Sequence, residues 1–381
     1  MTALKLEPDF SKRVEDISNE TLSLCYQCGT CTAVCPMGVR ARGLIRGAQL
    51  GLKEQVVDDK SLWYCVTCKL CEFACPRGVK ITEIIHASRV VGFEGRKAPQ
   101  RLQEAVWGVY DDGNPWGGKK NERAKWAEGL EVKIAKPAKY LLYVGDSASF
   151  DPRLQRVARS LAVILKAAGV DFSILGEGEN CSGDVVYDAG EEGFLEELVQ
   201  NNIEEFRKSG TEGIITLSPH SFNMFKTVYP KYGEMPDVLH YTEFLAGLLD
   251  RGTLKLSGQG DDLVVTYHDP CYLGRHHGIY EEPRKLLENI PGVKLTEMDD
   301  NRENALCCGG GGGVMWVDYD GERPSVRRVA DAVGTGASTM ATSCPYCIQN
   351  FEDGVKTKDL NLKVMDVSEV LARAMKLQGG T

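Results

Sequence analysis

From residue 139 onward, the chain alternates between short continuous apolar runs and longer stretches in which apolar residues return every three or four positions. The run YLLYVG is followed by RVARSLAVILKAAG, and similar successions continue to residue 343. A short apolar run predicts a buried strand, and the longer period predicts an amphipathic helix. Strands are therefore expected at 140–145, 170–175, 213–217, 263–268, 293–298 and 338–343. Helices are expected at 156–169, 194–208, 222–229, 283–289 and 326–334.

This succession runs through residues 138–258 and starts again in residues 259–381. Strands that alternate with helices are typical of parallel sheet. We therefore predict an α/β domain made of two similar halves, with these two ranges as their bounds.

The first part of the chain has a different pattern. Residues 40–54 and 81–91 each show one apolar face at helical spacing, formed by Leu44, Ile45 and Gln49 in the first and by Ile81, Ile84, Ile85 and Ser88 in the second. We predict a small, mainly helical domain in residues 1–97, although a β-rich version stays open at this point. The whole chain is then of the α+β class.

Residues 98–137 are rich in proline and glycine, which is typical of a linker. They also contain Trp107, Trp116 and Trp126. Three large aromatic side chains favour a segment packed over a domain junction or against a partner, because a free tether would leave them in water.

Cysteines are the main candidate functional residues. The chain has 14 cysteines, and eight of them form two runs with identical spacing. Both runs have the spacing Cys-x2-Cys-x2-Cys-x3-Cys-Pro, which is that of two-cluster bacterial ferredoxins, where the fourth cysteine of a run ligates the other cluster. We therefore assign one cubane [4Fe-4S] cluster to Cys25, Cys28, Cys31 and Cys75, and a second to Cys65, Cys68, Cys71 and Cys35. A pair of zinc ribbons is the alternative.

Five more cysteines lie on three segments of the second half: Cys271, Cys307, Cys308, Cys344 and Cys347. Zinc takes four tetrahedral ligands, so five thiols beside a run of five glycines favour a multinuclear iron–sulfur centre. A flexible glycine loop beside buried thiols is the alternative. His268, three residues before Cys271, is a candidate proton donor or a residue that orients Cys271.

The first half repeats this spacing with most of the cysteines replaced. Cys181-Ser182-Gly183 corresponds to Cys307-Cys308-Gly309, and Ser218-Pro219-His220-Ser221 corresponds to Cys344-Pro345-Tyr346-Cys347. Serine is a poor iron ligand beside thiolate, so we predict that the first half binds no cluster. Cys181 is interpreted as a buried thiol and His220 as structural, with redox and proton-donor roles as their alternatives.

Charge and composition argue against several classes of protein. The net charge of −9 argues against nucleic acid as a ligand. Residues 1–97 hold 14 Lys and Arg and 11 Asp and Glu, a formal +3, which leaves −12 beyond them. No apolar run approaches the roughly 18 to 20 residues of a membrane helix, and the charged first 19 residues do not resemble a secretory signal. We expect a cytoplasmic protein that meets a membrane only through a partner.

The chain resembles the heterodisulfide reductase family, in the arrangement of its D-type members, which join a C-type module to a cysteine-rich (CCG) module of the B type. The most specific motifs are HDPCYLGR at 268–275, Arg302-Glu303-Asn304 with the doubled cysteine, and the Cys-Pro-Tyr-Cys motif at 344–347. Similar proteins include the D-type component of class II benzoyl-CoA reductases, the K component of the sulfite-reductase-associated complex and the iron–sulfur component of glycolate oxidase, several of them from anaerobic metabolism. The resemblance implies one non-cubane [4Fe-4S] cluster at the five C-terminal cysteines.

Three functions are compatible with these motifs. The leading hypothesis is an electron-transfer subunit of a multisubunit oxidoreductase, which relays electrons between two cubanes and the non-cubane centre and takes its donor and acceptor from flavoprotein or reductase subunits. The second is a reductase that cleaves a disulfide-type substrate at the non-cubane cluster, with His268 as proton donor. The third is a zinc-binding scaffold.

Overall fold

The structure is a computed structural model that describes residues 5–256 and 262–377. All regular elements in the described part of residues 1–97 are helices. The α-helices of this module are Pro8–Ser18, Thr30–Ala33, Ala41–Gln49, Lys53–Val57, Lys60–Trp63, Leu70–Phe73 and Ile81–Glu94. The mainly helical character expected for the module is therefore observed, and the β-rich alternative is wrong.

The two helices expected from periodicity are present. Ala41–Gln49 buries Leu44 and Ile45, whereas Gln49 is only half-buried. Ile81–Glu94 buries all four residues of its expected apolar face. The helix expected over residues 40–54 ends earlier, at Gln49, because Gly51 has a left-handed conformation with φ of +67°.

Residues 98–137 contain regular structure. A helix, Gln100–Asp112, buries Leu102 and Val106, and the two-residue strand Lys133–Ile134 joins the sheet of the first half. Trp126 is buried, Trp116 meets the ring of Trp316 edge-on, and Trp107 is exposed. The segment thus packs against the domains, as its tryptophans indicate, and differs from an irregular linker.

Each half of the remaining chain is built on a parallel sheet. The strands, in chain order, are β1 (Lys133–Ile134), β2 (Tyr140–Tyr143), β3 (Phe172–Ile174), β4 (Gly213–Thr216), β5 (Asp237–His240), β6 (Leu263–Tyr267), β7 (Val293–Leu295), β8 (Thr339–Thr342) and β9 (Lys363–Asp366). The first sheet has the order β1-β3-β2-β4-β5 and the second β7-β6-β8-β9. Apart from β1, the two orders are the same, which confirms the duplication.

Helices connect these strands. In the described residues from 138 to 256 and from 262 to 377, the α-helices are Gly145–Phe150, Pro152–Ala167, Asp184–Ala189, Gly193–Ser209, Pro219–Asn223, Tyr241–Asp250, Gly274–His277, Glu281–Glu288, Pro324–Gly334, Pro345–Thr357 and Val367–Ala374. A π-helical turn, Met224–Val228, continues Pro219–Asn223. Sequence periodicity missed β5 and β9, because each is a four-residue strand at a sheet edge with an exposed residue.

The apolar cores cross the boundaries that the sequence suggests. One continuous core joins the helical module to the first half and reaches Cys271 and Cys307, and a second joins the two halves. Because the cores are shared, the module and the halves bury one another's apolar faces. No helix within the described residues is long and apolar enough to cross a membrane.

Candidate iron–sulfur sites

The two cysteine runs of the helical module have the same backbone shape. Two left-handed residues bend the first loop, Gln27 (φ +67°) and Gly29 (φ +89°), and Thr67 (φ +51°) and Lys69 (φ +60°) occupy the same positions of the second. A one-turn helix begins directly after each loop. Non-glycine residues rarely adopt positive φ, so three of them at matched positions indicate a loop shaped for a function.

The first group of thiols comes from both runs. Cys25, Cys28, Cys31 and Cys75 line one cavity together with apolar residues that follow them in the chain. The Gln27 side-chain amide donates to Cys25 Sγ at 3.3 Å, and the Thr30 hydroxyl lies 3.4 Å from Cys28 Sγ. Cys28 is exposed, so this group reaches the protein surface.

The second group lies deeper. Burial raises the pKa of Cys65 to about 12, and the nearby thiols of Cys35 and Cys68 contribute to this rise. Burial also raises the pKa of Cys71, with added contributions from Cys65, Cys68 and Cys35. Cys35, whose sulfur accepts from the Val39 amide at 3.4 Å, therefore lies among the cysteines of the other run. The structure brings together the two crossed groups that the spacing predicts.

The five C-terminal thiols gather where β6 and β8 end. Cys271 follows β6, and Cys344 caps the helix Pro345–Thr357 that follows β8. Cys271 Sγ lies 4.0 Å from Cys307 Sγ, and Cys347 Sγ lies 3.3 Å from Cys308 Sγ. The carboxyl ends of parallel strands form the crevice where ligands bind in α/β folds.

These thiols are buried, with exposures from 1% to 7%. Hydrogen bonds from Cys307 and Cys347 hold the pKa of Cys308 well below its ordinary value. Burial raises the pKa of Cys344, but hydrogen bonds from Cys347 and His220 outweigh it and lower that pKa to about 6. The pKa of Cys307 is raised well above its ordinary value, first by its hydrogen bond to Cys271, and burial raises that of Cys347. The arrangement therefore favours the thiolate, the form in which cysteine binds metal, at Cys308 and Cys344.

The thiol arrangement fits a multinuclear cluster better than zinc. Zinc at about 2.3 Å from sulfur needs four thiolates around one point. Within residues 5–256 and 262–377, no three or more His, Cys, Asp or Glu side chains are grouped to hold a single metal ion. The C-terminal thiols approach in pairs instead, at 4.0 and 3.3 Å, and the five of them exceed the four ligands that one zinc ion takes.

The second cysteine group of the module and the C-terminal site are adjacent. The neighbouring Cys307 thiol, followed by burial, raises the pKa of Cys68 well above its ordinary value. Arg275 lies beside both: its Nε donates to the Cys68 carbonyl at 2.6 Å and its Nη1 to the Ala305 carbonyl at 2.7 Å. A buried guanidinium between thiols offsets their negative charge.

The five-glycine loop makes this contact possible. A Cβ atom on Gly312, whose φ is +62°, would lie 2.1 Å from the Cys65 carbonyl oxygen, and one on Gly311 would lie 2.7 Å from the Val66 carbonyl oxygen. Only glycine permits this approach of two backbones. The glycines are therefore required because the loop packs on the second cysteine run.

Arg89 ties the three parts of the chain together. Its guanidinium, 1% exposed, donates to the carbonyls of Leu62 and Cys65 in the module, of Asp188 in the first half and of Gly312 in the second. Next to it, the hydroxyls of Thr67 and Tyr272 are 2.6 Å apart. Sequence reasoning assigned no role to Arg89, Thr67, Tyr272 or Arg275, although the last two lie in the HDPCYLGR motif.

In the first half, polar side chains occupy most of the positions that correspond to the C-terminal thiols. Ser221 Oγ donates to Ser182 Oγ at 3.1 Å, in the same register as the Cys347–Cys308 pair. Cys181 Sγ donates to Asp184 Oδ1 at 3.9 Å, and Arg123, 2% exposed, donates to Asp146 at 2.7 Å and to Glu179 at 3.2 Å. An ion pair and a serine pair replace most of the thiols.

The His268 ring contacts an arginine and a phenylalanine side chain. Its Nδ1 accepts from Arg328 Nε at 3.3 Å, and its ring meets Phe351 at 4.6 Å. Burial, helped by the charges of Arg328 and Arg275, holds the pKa of His268 well below its ordinary value. A neutral imidazole in this position favours packing over proton donation, so its catalytic role is only a prediction from sequence.

Two family models match the chain. A 4Fe-4S dicluster domain matches residues 18–80, and a cysteine-rich domain matches twice, at residues 147–226 and 265–352. Among solved structures, a hypothetical protein from Helicobacter pylori has the same overall fold, with a TM-score of 0.53, 10% identity, and coverage of 96% of this chain and 72% of that one.

Curated relatives carry the same combination. The chain is 38% identical to a probable iron-sulfur-binding oxidoreductase, FadF, of Bacillus subtilis over 77% of this chain and 44% of the relative. It is 36% identical to an EtfAB:quinone oxidoreductase of Syntrophomonas wolfei over 73% and 41%. It is 35% identical to the D-type component of dihydromethanophenazine:CoB–CoM heterodisulfide reductase of Methanosarcina mazei over 70% and 66%.

Fold and site together define a two-module iron–sulfur protein, in which a dicluster module is docked on a duplicated cysteine-rich domain. The chain belongs to the family of D-type heterodisulfide reductase proteins, as its motifs indicate. It spans less than half the length of the first two relatives and about two thirds of the third.

Proposed function

We propose that the chain is the electron-transfer subunit of a multisubunit oxidoreductase. Cys25, Cys28, Cys31 and Cys75 hold one cubane [4Fe-4S] cluster, and Cys35, Cys65, Cys68 and Cys71 the second. Cys271, Cys307, Cys308, Cys344 and Cys347 hold one non-cubane [4Fe-4S] centre. Such clusters, when bound, take up and release single electrons.

The observation that carries this proposal is the serial order of the three thiol groups. The first group reaches the surface at Cys28, and the second is partly buried, with Cys68 its one buried member. Cys68 lies next to Cys307 of the third group. Backbone from the glycine loop closes the gap between the last two groups. A surface-to-interior line of this kind suits a relay that exchanges electrons with another protein at the Cys28 end.

Burial of the third group favours the relay over direct reduction of a disulfide substrate. A substrate sulfur would have to reach iron held by thiols that are at most 7% exposed. The first half also keeps only Cys181 of the thiols that a paired centre would need. The names of two relatives, a quinone oxidoreductase and a heterodisulfide reductase component, support flavoprotein or reductase subunits as partners.

Metal content tests the number of centres. Three [4Fe-4S] centres require about 12 iron atoms per chain, with equal sulfide, in protein purified without oxygen. A value near 8 would mean that the C-terminal thiols hold no such centre, and a value near 16 would contradict the loss of the first-half site. Zinc in place of iron, in colourless protein, would support the scaffold hypothesis instead.

The variant Cys308→Ala separates the relay from the reductase. We expect the signal of the C-terminal centre to disappear from electron paramagnetic resonance spectra while both cubanes are still reduced by dithionite. The wild-type chain alone, reduced and freed of dithionite, should not pass its stored electrons to bis(2-hydroxyethyl) disulfide. Oxidation of the reduced clusters by the disulfide, with two thiols formed for every two electrons lost, that occurs in wild type and not in Cys308→Ala would establish the reductase.

A further inference from the structure

Each of the two halves places one side chain in the other half. His220 and Tyr346 are the third residues of the equivalent motifs Ser-Pro-His-Ser and Cys-Pro-Tyr-Cys. Tyr346 leaves its own half, and its hydroxyl donates to Asp184 Oδ2 of the first half at 3.3 Å. His220 leaves the first half in turn: its ring meets Tyr346 of the Cys-Pro-Tyr-Cys motif at 4.7 Å, and it is near enough to Cys344 to contribute to the lowered pKa of that thiol.

The position of His220 is fixed on all sides. The residue is 4% exposed, and its ring stacks on Tyr272 at 4.2 Å and meets Tyr346 at 4.7 Å. A Cβ atom on Gly311 would lie 3.3 Å from His220 Cε1, so the glycine loop closes the remaining side. The imidazole therefore cannot turn away from the thiols without disturbing three neighbours.

The neighbours of this ring favour an N–H directed at sulfur. His220 Nδ1 lies 3.9 Å from Asp184 Oδ2 and has no hydrogen-bond partner among the described residues. Asp184 therefore does not use up the donor capacity of the ring. An imidazole carries at least one N–H whether it is neutral or charged, and a thiolate or cluster-bound sulfur can only accept.

We propose that His220 is a positioning residue for the C-terminal centre: its imidazole donates a hydrogen bond to Cys344 Sγ and makes the centre easier to reduce. This inference rests on the proposed function, because it assumes a cluster at the five thiols. Hydrogen bonds to ligand sulfur offset the negative charge gained on reduction, and they are one of the protein's means of setting cluster potentials. The first half, which has lost its own ligands, thereby supplies a donor to the second half.

The test is a redox titration followed by electron paramagnetic resonance on His220→Phe, which keeps an aromatic ring and removes the donor. At a fixed potential near the midpoint, we expect the ratio of reduced to oxidised C-terminal centre to fall about tenfold, the size expected for a hydrogen bond to a charged group. Both cubanes should titrate as in wild type. His277→Phe is the matched control, because His277 bonds to Asn223 and packs on Phe222, away from the thiols.

An unchanged midpoint in His220→Phe would overturn the proposal. If His220→Phe loses the centre, His220→Gln decides: a retained centre with a near-wild-type midpoint supports donation, and loss of the centre in both variants shows that His220 acts only by packing. Wild-type protein that shows two cubanes and no third signal would contradict the proposed function itself, which is a separate outcome.

Discussion

At the scale of single residues, Asp269 ties the strand β6 to the loop that leads to the doubled cysteine. Its carboxylate, 3% exposed, accepts two hydrogen bonds from Arg284, at 2.6 and 2.9 Å, and one from the Arg302 amide at 2.8 Å. It lies two residues before Cys271 and holds the segment that ends in Cys307 and Cys308. The Asp269 carboxylate thus positions the proposed metal ligands without being one of them.

The variant Asp269→Ala should lower the free energy of unfolding by about 3 to 5 kcal/mol, because it leaves a buried arginine without one of its carboxylates. Chemical denaturation followed by circular dichroism measures the change. Asp250→Ala is the control, since it breaks the exposed ion pair with Lys285, and exposed pairs contribute little. Equal effects of the two changes would show that the buried pair has no special role.

At the scale of elements, the contact between the glycine loop and the second cysteine run decides how close two redox sites come. The loop reaches the Cys65 carbonyl only because Gly312 has no side chain. The crossed ligation that we propose for Cys35 and Cys75 would have a similar effect inside the module, since each run would depend on the other for its fourth thiol.

Gly312→Ala should disrupt this contact and lower the melting temperature more than Gly278→Ala does. Both glycines have positive φ, +62° and +73°, so both variants suffer similar backbone strain. A Cβ on Gly278 meets nothing within 4 Å, whereas one on Gly312 meets backbone. Thermal unfolding compares them, and equal losses would mean that strain, not the close approach, requires glycine at 312.

Cys75→Ser tests the crossing directly. We expect it to damage the cluster held by Cys25, Cys28 and Cys31, because Cys75 lies with that group. Redox-titrated electron paramagnetic resonance separates the two cubanes, and Cys35→Ser is the reciprocal control that should damage the other one. Loss of the Cys65-containing cubane alone in Cys75→Ser would reverse the assignment.

At the scale of the whole molecule, one buried arginine connects the module with both halves. Arg89→Met would leave the carbonyls of Leu62, Cys65, Asp188 and Gly312 without their donor in a region closed to water. Each buried polar group left without a partner costs about 1 to 3 kcal/mol.

We therefore expect Arg89→Met to expose the junction, with faster amide hydrogen exchange in residues 62–67 and 309–314. Mass spectrometry of exchanged peptides measures this change. Arg13→Met, which removes a half-exposed arginine paired with Glu94, is the control and should leave these peptides unchanged. Unaltered exchange in Arg89→Met would show that the apolar cores alone hold the parts together.

The amino-acid sequence by itself determined the duplicated parallel sheets, and it favoured a helical first module and predicted the grouping of 13 cysteines. These features follow from short-range rules: apolar periodicity marks strands and helices, and cysteine spacing within a loop fixes which thiols can reach one cluster. Periodicity missed β5 and β9, and proline and glycine content suggested a linker where Gln100–Asp112 forms a helix, because packing of Leu102 and Val106 overrides local composition.

Only the tertiary structure decided which groups from distant parts of the chain meet. Cys68 beside Cys307, Arg89 across three parts of the chain, and His220 beside Cys344 join residues at least 99 positions apart between modules, and no local pattern encodes such pairs. They arise because buried charges and carbonyls must find partners, and because the glycine loop lets two backbones touch. The sequence predicts the ligands, and the fold brings the module, the glycine loop and the histidine of the first half next to them.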